Sequence, residues 1–432
     1  MGLQLLHEMN GKACACGKCH RFETQVVSGK GVLSGLGEIL ARFSPKKVFL
    51  LADKNTYKAA GERACRILAE EKIPCVSYVL PGENPEPDEH SVGAAVMHFD
   101  RSCDVVVAVG SGVVNDIGKM LSAVAGTPYV IVATAPSMDG YASATSSMTR
   151  DGLKVSINTK AADVIVGDTE ILCRAPLHLM RSGLGDMLAK YVSICEWRIS
   201  QLVTGEYYCE EIARLVRQAL KRCVDNSRGL LNRDEAAVEA VFEGLVIGGV
   251  AMNYAGLSRP ASGVEHYISH VLDMRGVEFH TPVELHGIQC AVGTYLAVSA
   301  YEKLKKCQPD REHALSHARG FDYGAWRDEL RRFLGKGAES MIALEEKEQK
   351  YDLSQHEKRL EVILERWPEI LNIMEQELPP IKELEALLDD MGIPKSLEEL
   401  GTPEEDFPVI FAATRDIRDK YVLSRLMWDL GL

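Results

Sequence analysis

The sequence predicts an N-terminal doubly wound α/β domain followed by a C-terminal all-α domain. Between about residues 22 and 170, short runs of β-branched residues alternate with amphipathic segments of helix length, as in a parallel sheet covered by helices. After about residue 176 the strand-like runs stop, and apolar residues recur at three- and four-residue spacing. The 432 residues suffice for two or three domains. We therefore expect an N-terminal tail at 1–21, a Rossmann-like domain at 22–175 and a helical domain at 176–432.

Four apolar runs predict the strands of the sheet, and turn residues follow the first three of them. The runs are residues 47–52, 74–80, 105–109 and 129–133. Amphipathic patterns at 56–70 and 88–99 predict helices between the strands. Two further short runs, 154–157 and 164–166, predict an added hairpin near the end of this domain.

Long helical patterns predict the second domain. They cover residues 188–198, 206–224, 235–254 and 340–377. The segment 345–366 is highly charged, which indicates a solvated helix face.

The charge and hydropathy of the chain argue against several classes of partner. The formal net charge of −13, without a long Lys/Arg cluster, disfavours nucleic acid or an anionic membrane surface as the main partner. There is no signal-peptide pattern and no uninterrupted run of about 18 apolar residues, so we expect a cytoplasmic protein without membrane insertion.

The twelve cysteines are scattered, and most lie in apolar contexts that favour buried free thiols. The exception is a cluster of Cys14, Cys16, Cys19 and His20 in the tail. Thiolates and an imidazole at this spacing are metal ligands, but structural zinc sites usually pair two such knuckles, and a second one is absent. A reduced, exposed tail is therefore the favoured interpretation, and a bound metal the alternative.

A glycine turn follows the third predicted strand. The sequence Gly110-Ser111-Gly112, ahead of a helix that contains Asp116, lets backbone amides and a helix N-terminus approach a diphosphate closely. Such turns also occur in α/β proteins that bind no cofactor. Asp53 follows the first predicted strand, where its carboxylate fits either a ribose hydroxyl or the cap of a helix.

The fourth predicted strand ends in a run of hydroxyl side chains and one acid, from Thr134 through Asp139 to Ser143. Open α/β sheets bind ligands at the carboxyl edge, so a second polar loop beside the glycine turn favours a binding site there. A turn capped by Asp and Ser side chains is the alternative.

Four residues in the second half have the chemistry of a metal site. Asp186 lies at the entry to a predicted helix, His266 and His270 lie one helical turn apart, and His286 follows. A carboxylate with two or three imidazoles surrounds a divalent ion and leaves a position open for substrate. Taken singly, each residue is better explained as a helix cap or a core histidine, so the interpretation depends on the set.

The order of these motifs resembles the sn-glycerol-1-phosphate dehydrogenases. These enzymes belong to the superfamily of iron-type alcohol dehydrogenases, glycerol dehydrogenases and dehydroquinate synthases. The resemblance covers roughly residues 22–300 and the closing Asp-Ile-Arg-Asp-Lys-Tyr-Val at 416–422. The Pro-Ser-Met-Asp-Gly loop at 136–140 and Ser-Gly-x-Glu-His-x-x-Ser-His at 262–270 decide the subfamily. The implied fold is that of the dehydroquinate synthase-like proteins and iron-type alcohol dehydrogenases.

The resemblance implies a role for each matching position. Asp186, His266 and His286 match the metal ligands, and Asp186 also lies near the substrate. Asp139 and His270 match substrate-contacting positions. The resemblance therefore implies catalytic roles for Asp139, Asp186 and His270. The positions that match the nicotinamide-cofactor site are Asp53, Gly112, Val113, Val114, Asn115, Asp116, Thr134, Ala135, Pro136, Ser137 and Ser143. Ser111 stands where many relatives have a glycine, and serine still permits a tight turn.

The implied reaction is the reversible, NAD(P)H-dependent reduction of dihydroxyacetone phosphate to sn-glycerol 1-phosphate, for the backbone of ether-type glycerophospholipids. It needs one divalent metal, and this ligand set suits zinc, nickel or iron. Asp53 favours NAD over NADP by repelling a 2′-phosphate, although similar enzymes accept both. We also expect a homo-oligomer, a dimer or larger. Arg259 is one candidate for binding the substrate phosphate, and an exposed loop arginine is the alternative interpretation.

Three other functions compete with this one. A glycerol or small-polyol dehydrogenase keeps the chemistry and changes the substrate. A lyase similar to dehydroquinate synthase uses NAD without net change in NADH absorbance. A non-catalytic nucleotide-binding protein keeps only the fold, and the retained ligands argue against it.

Overall fold

The computed structural model describes residues 2–432 and contains a six-stranded parallel sheet. The strands are β1 (Gln25–Gly29), β2 (Val48–Asp53), β3 (Cys75–Leu80), β4 (Val105–Gly110), β5 (Tyr129–Ala133), β6 (Thr145–Arg150), β7 (Leu153–Asn158) and β8 (Val164–Asp168). The order across the sheet is β1-β8-β5-β4-β2-β3, with every neighbouring pair parallel. β6 and β7 form a separate antiparallel hairpin.

Helices make up most of the remaining described residues. The α-helices are α1 (Gly2–Met9), α2 (Leu36–Ala41), α3 (Lys54–Thr56), α4 (Glu62–Glu70), α5 (Glu89–His98), α6 (Gly112–Ala125), α7 (Thr169–Leu172), α8 (Leu177–Leu188), α9 (Lys190–Thr204), α10 (Glu210–Asn226), α11 (Glu235–Ala255), α12 (Val264–Phe279), α13 (His286–Leu304), α14 (Arg311–Arg319), α15 (Tyr323–Leu334), α16 (Gly337–Glu348), α17 (Leu353–Glu377), α18 (Ile381–Met391), α19 (Phe407–Ala413) and α20 (Leu423–Asp429). A π-helical turn lies at Tyr57–Gly61, and 3-10 turns lie at Val32–Gly35, Asp139–Tyr141, Ser227–Asn232, Glu398–Leu400 and Glu404–Asp406. The predicted class, a Rossmann-like α/β part followed by a helical part, is confirmed.

The chain forms two compact units. The first runs to Met187 and resumes at Arg214–Leu257, and the second contains Leu188–Ala213 and Ser258–Leu432. The sequence-based boundary lay at 175/176, whereas most of α8 and all of α11 belong to the unit that holds the sheet. α11 belongs to the first unit because it packs against β1 and the 3-10 turn at Asp139–Tyr141.

The core of the first unit explains why these strands form. β4 reads Val-Val-Val-Ala-Val-Gly, and every residue of it is buried, as expected for a central parallel strand covered on both faces. Because side chains alternate between the faces, Val105, Val107 and Val109 share one face, where they cluster with Leu40 of α2 and Leu68 of α4.

The predicted hairpin of 154–157 with 164–166 is wrong. The segment at 154–157 lies in β7, which pairs with β6, whereas β8 enters the main sheet between β1 and β5. All five residues of β8 are buried, so its short apolar run marks a central strand rather than a hairpin arm. Length and periodicity alone do not separate these two cases.

The pattern at 340–377 also proves to be two helices. Gln349 adopts a left-handed conformation with φ 52° and ends α16, and the carboxylate of Asp352 caps α17 through the backbone N of Gln355 at 3.0 Å. Glu345, predicted to lie on a solvated face, is buried and accepts hydrogen bonds from the backbone N atoms of Lys350 and Tyr351, both at 3.1 Å. Its side chain therefore stabilises the break between the helices.

The N-terminal segment is exposed or partly exposed from Gly11 to Cys19, as expected of the tail, but it has secondary structure. α1 precedes a short hairpin in which Ala13 pairs with Cys19, and His20 is buried. Within the described residues, no helix combines the length and the apolar character needed to cross a bilayer.

Candidate active site

Three predicted cofactor segments lie side by side at the carboxyl ends of neighbouring strands. Asp53 ends β2, Gly110 ends β4, and Ala133 ends β5 directly before the loop that starts at Thr134. β5, β4 and β2 are neighbours, so these carboxyl ends adjoin. From β2 the chain continues to β3 on one side of the sheet, and from β4 it continues to β5 on the other side. In doubly wound sheets that reversal creates the crevice in which ligands bind.

The glycine turn is built for close approach of the backbone. A Cβ atom at Gly110 would lie 2.4 Å from Cβ of Val114, so no larger residue fits between the end of β4 and the first turn of α6. α6 begins at Gly112 with Ser111 as its N-cap. The first-turn amides and the positive end of the helix dipole therefore lie at the crevice, where they suit an anion.

Asn115 and Asp116, two predicted cofactor residues of this turn, form bonds within the protein. Asn115 is fully buried, donates from Nδ2 to the carbonyl of Gly140 at 3.1 Å, and accepts from the hydroxyl of Tyr129 at 3.1 Å. Asp116 pairs with the buried Lys119 at 3.1 Å. Burial raises the pKa of Asp116, although Lys119 opposes the shift. These side chains bond to other protein groups, so the backbone N–H groups are the part of the turn that suits an anion.

Asp53 is a helix cap in the structure. Its Oδ1 accepts from the backbone N atoms of Asn55 and Thr56, both at 2.8 Å, and Thr56 Oγ1 accepts from the backbone N of Asp53 at 3.0 Å. This reciprocal arrangement is a capping box. The capping interpretation is confirmed, and the cap holds the carboxylate at the crevice.

The loop after β5 is rigidly attached to its surroundings. Thr134, Ala135, Ser137 and Ser143 are buried. Tyr141 donates its hydroxyl to the carbonyl of Ala135 at 2.7 Å, and Ser137 Oγ bonds Ser111 Oγ of the glycine turn. The structure thus brings the two predicted cofactor segments into direct contact.

α8 packs on the same loop and fixes Asp186. The backbone N of Asp139 donates to Oδ2 of Asp186 at 2.9 Å, and Asp186 is fully buried. One turn earlier on α8, Ser182 donates to the carbonyl of Ser137 at 3.0 Å. Gly183 faces the carbonyl oxygen of Pro136, which lies 1.8 Å from the position that a Cβ would take. Only glycine lets α8 approach the loop this closely.

The second unit brings three predicted histidines together. The ring of His266 on α12 lies 5.0 Å from that of His286, the first residue of α13, and 6.5 Å from that of His270. The rings of His270 and His286 are 5.9 Å apart. α12 and α13 approach closely because Gly293 presents no side chain to the backbone of Glu265. The spacing of His266 and His270 on one helix face, expected from the sequence, is confirmed.

Glu265 and Ser269, for which no role was predicted, orient these rings. Glu265 Oε1 lies 2.9 Å from Nδ1 of His266, and Ser269 Oγ lies 2.9 Å from Nδ1 of His286. Ser269 donates to Oε1 of Gln289. Metal-binding histidines characteristically have one ring nitrogen held in this way, so a metal would bind through Nε2 of each. A glutamate directly before His266 and a serine directly before His270 were the available signals.

Cys290, which was predicted to be a buried free thiol, supplies a further possible metal ligand. Its Sγ lies 3.6 Å from Nε2 of His286, one helical turn earlier on α13. His266, His286 and Cys290 form one group of possible metal ligands. Burial raises the pKa of the thiol, but the two imidazoles outweigh burial and leave it lowered.

His270 is kept neutral by its surroundings. Burial lowers its pKa well below the ordinary value, His286 and His266 add to the shift, and Arg418 and Lys420 contribute further. Two cationic side chains from the closing motif therefore lie near this imidazole.

Arg259 is neither exposed nor available for a phosphate. It is buried, its Nη2 pairs with Glu206 at 2.6 Å, Nη1 donates to the carbonyl of Tyr421 at 2.8 Å, and Nη2 also donates to Ser200 Oγ at 3.0 Å. Both sequence interpretations of Arg259 are wrong, because its donors join segments of the second unit. Arg418, which is exposed, and Lys420 are the cations whose charges act on His270.

Comparison with known proteins agrees with this architecture. Residues 27–176 match a family model described as iron-containing alcohol dehydrogenase. The chain is 32% identical to a glycerol-1-phosphate dehydrogenase (NAD(P)+) of Bacillus licheniformis over 307 residues, 70% of this chain and 77% of the relative. Relatives of the same name from Bacillus subtilis and Methanosarcina mazei are 32% and 31% identical, over 68% and 65% of this chain and 77% of each relative.

Solved structures share the fold at lower identity. A glycerol dehydrogenase from Schizosaccharomyces pombe superposes with a TM-score of 0.63 at 18% identity, covering 96% of this chain and 90% of that one. A 1,3-propanediol oxidoreductase gives 0.61 at 19% identity, covering 94% and 97%. By its similarity to the curated relatives, the chain belongs to the family of NAD(P)+-dependent glycerol-1-phosphate dehydrogenases.

Proposed function

We propose that the protein interconverts dihydroxyacetone phosphate and sn-glycerol 1-phosphate with a nicotinamide cofactor. The observation that carries the proposal is the shared activity of curated relatives at 30–35% identity over about two thirds of the chain. The anion-binding turn and the histidine cluster, each in its own unit, have the chemistry that this reaction needs. Its product would supply the backbone of ether-type glycerophospholipids.

The proposed cofactor site is the crevice at the carboxyl ends of β2, β4 and β5. The backbone from Gly112 to Asp116 would hold the diphosphate. The loop from Thr134 to Ser137, together with Ser143, would line the nicotinamide site. We propose NAD as the preferred cofactor, since the carboxylate of Asp53 favours ribose hydroxyls over a 2′-phosphate.

The proposed metal ligands are Asp186, His266 and His286, and the residues present fit a divalent ion. Asp186 is a buried carboxylate, and both imidazoles are oriented through Nδ1. Zinc, nickel and iron all suit these donors. When bound, the metal supplies Lewis acidity at the C2 oxygen of the substrate, and the nicotinamide supplies or accepts the hydride at C2.

The catalytic work of the chain itself falls to His270 and Asp139. A neutral His270 offers one N–H donor and one acceptor nitrogen, so it is suited to orient a substrate hydroxyl and relay its proton. The backbone N of Asp139 holds Asp186, so Asp139 fixes a proposed metal ligand and also contributes its carboxylate beside it.

The substrate phosphate is expected to bind beside Arg418 and Lys420. Burial lowers the pKa of Lys420 to about 7, and Arg259 contributes to the shift, whereas a bound dianion would stabilise the protonated ammonium. We expect Arg418→Ala to raise KM for dihydroxyacetone phosphate roughly tenfold or more, the worth of one charged hydrogen bond. Turnover of unphosphorylated dihydroxyacetone should not change. Arg332→Ala, which removes another exposed arginine of the same unit, is the control, and equal effects of the two variants on KM would refute this assignment.

Glu265 is proposed as a positioning residue for His266. We expect Glu265→Gln to weaken metal binding about 10- to 100-fold, because the carboxylate that holds Nδ1 loses its charge. Metal affinity is measured by competition with a chelator, and activity should recover when excess metal is added. Glu243→Gln, in which another buried, ion-paired glutamate is changed, is the control. Activity that stays low at saturating metal would point to a structural role instead.

The function is tested by following NADH oxidation with two substrates. The protein is expected to reduce dihydroxyacetone phosphate far faster than dihydroxyacetone, with the product identified as the sn-1 phosphate by a stereospecific enzyme. Comparable rates with both ketones would favour a glycerol or polyol dehydrogenase. No change of NADH absorbance with either ketone would remove both dehydrogenase assignments and leave the lyase or the non-catalytic protein.

A further inference from the structure

The segment from Asn10 to Phe22 is a closed loop stapled by hydrogen bonds. The side chain of Asn10 bonds both the carbonyl and the backbone N of Phe22 at 2.8 Å, and the backbone N of Gly11 donates to the carbonyl of His20 at 2.7 Å. Inside the loop, the backbone N of Cys14 donates to the carbonyl of Lys18 at 2.9 Å, beside the pairing of Ala13 with Cys19. The loop is therefore a small hairpin with Cys16 at its tip.

Hydrophobic burial does not explain this hairpin. Ala13 and Ala15 are exposed, and no residue from Gly11 to Cys19 is buried. So small an element, without an apolar core of its own, usually needs a metal or a disulfide to hold it. Cys14, Cys16 and Cys19 form no disulfide.

Three donor atoms converge where such a support would act. The ligand atoms of Cys14, Cys16 and His20 lie within 4.8 Å of one another, and Cys16 Sγ is 3.4 Å from Nε2 of His20. In a tetrahedral zinc site with Zn–S of about 2.3 Å and Zn–N of about 2.05 Å, these two ligand atoms would be about 3.6 Å apart. The donor atoms thus need only small shifts to bind a common ion.

His20 is oriented as a metal ligand. It is buried, and its Nδ1 lies 3.0 Å from the carbonyl oxygen of Tyr254 at the end of α11. That contact fixes the ring and presents Nε2 towards the thiols, the usual outer-shell arrangement of a metal-binding histidine. Tyr254 also donates its hydroxyl to the carbonyl of Leu6 on α1 at 3.1 Å. The loop and α1 are therefore both attached to α11 through one residue.

We propose that Cys14, Cys16 and His20 bind a structural zinc ion that fastens the N-terminal segment to α11. Two thiolates and an imidazole form a soft donor set that selects zinc over magnesium or calcium. The three side chains supply three positions of a tetrahedral site, and a further donor completes it. This proposal is independent of the dehydrogenase assignment, since it shares no ligand with it.

Metal analysis of the full-length protein, purified under reducing conditions, tests the proposal. Wild-type protein is expected to contain one more equivalent of zinc than the Cys14→Ser/Cys16→Ser variant. Cys173→Ser/Cys307→Ser, which removes two other partly exposed thiols, is the matched control and should retain the wild-type content. Equal zinc content in all three proteins would overturn the proposal. If the double variant loses zinc as expected, serine variants of Cys19 and of each remaining cysteine identify any fourth thiolate by the same loss.

Cobalt substitution of the folded protein keeps the proposal testable if the double variant fails to fold. Cobalt-loaded Cys290→Ser protein, which lacks the thiol near His286, should still show thiolate-to-cobalt charge-transfer absorption, and its absence would overturn the proposal. Trypsin provides a further readout, because Lys12, Lys18 and Arg21 are exposed. Removal of zinc should accelerate cleavage at these sites, and an unchanged rate would argue against a structural ion.

Discussion

His286→Ala is expected to remove the proposed catalytic metal and to lower kcat by about a thousandfold. One of three protein ligands is lost, and with it the Lewis acidity that is worth several kcal/mol in the transition state. The partner of His286 at Nδ1 is the neutral hydroxyl of Ser269, so the substitution leaves no unpaired buried charge and folding should be preserved. Metal content and steady-state kinetics with dihydroxyacetone phosphate measure the effect.

His266→Ala should give the same loss of activity but a larger loss of stability. It leaves the buried carboxylate of Glu265 without the imidazole at 2.9 Å. His280→Asn is the control for both variants. It changes an exposed histidine at the end of α12 to a residue that tolerates the same left-handed backbone conformation, φ 53°. Full activity of His286→Ala without its metal would contradict the proposed mechanism.

Gly183→Ala is expected to cause the second large effect. The new methyl group would lie 1.8 Å from the carbonyl oxygen of Pro136 and 3.1 Å from Leu245 Cδ1, so α8 and the loop after β5 must separate. The bond between Asp139 and Asp186 joins the same two elements. We expect the free energy of unfolding to fall by about 1–3 kcal/mol and kcat/KM to fall about a hundredfold.

A glycine elsewhere in the first unit provides the matched control. Gly93 lies within α5, and no atom approaches within 4 Å of its would-be Cβ. Gly93→Ala should leave activity unchanged and raise the free energy of unfolding by up to about 1 kcal/mol, because alanine is the better helix former. Denaturant unfolding followed by circular dichroism measures both variants. A Gly183→Ala protein as stable and active as Gly93→Ala would show that the close approach is unimportant.

The sheet was predictable where its strands are buried on both faces. β2, β4 and β5 are unbroken apolar runs followed by loops, and each was found with its ends within about one residue. β1 was missed because Gln25–Gly29 is half-exposed and contains polar residues. β8 was assigned to the wrong partner, since the order of strands depends on contacts between distant parts of the chain.

By itself, the sequence determined the fold class, the motif order that indicates the family, and the residue types for a metal and a nicotinamide. Those properties depend on local pattern or on likeness. Only the tertiary structure showed that Glu265 and Ser269 orient the histidines. It also showed that Arg259 forms a buried ion pair with Glu206 and that residue 183 must be glycine. The physical reason is that hydrogen bonds and close packing join side chains that spacing along the chain does not relate.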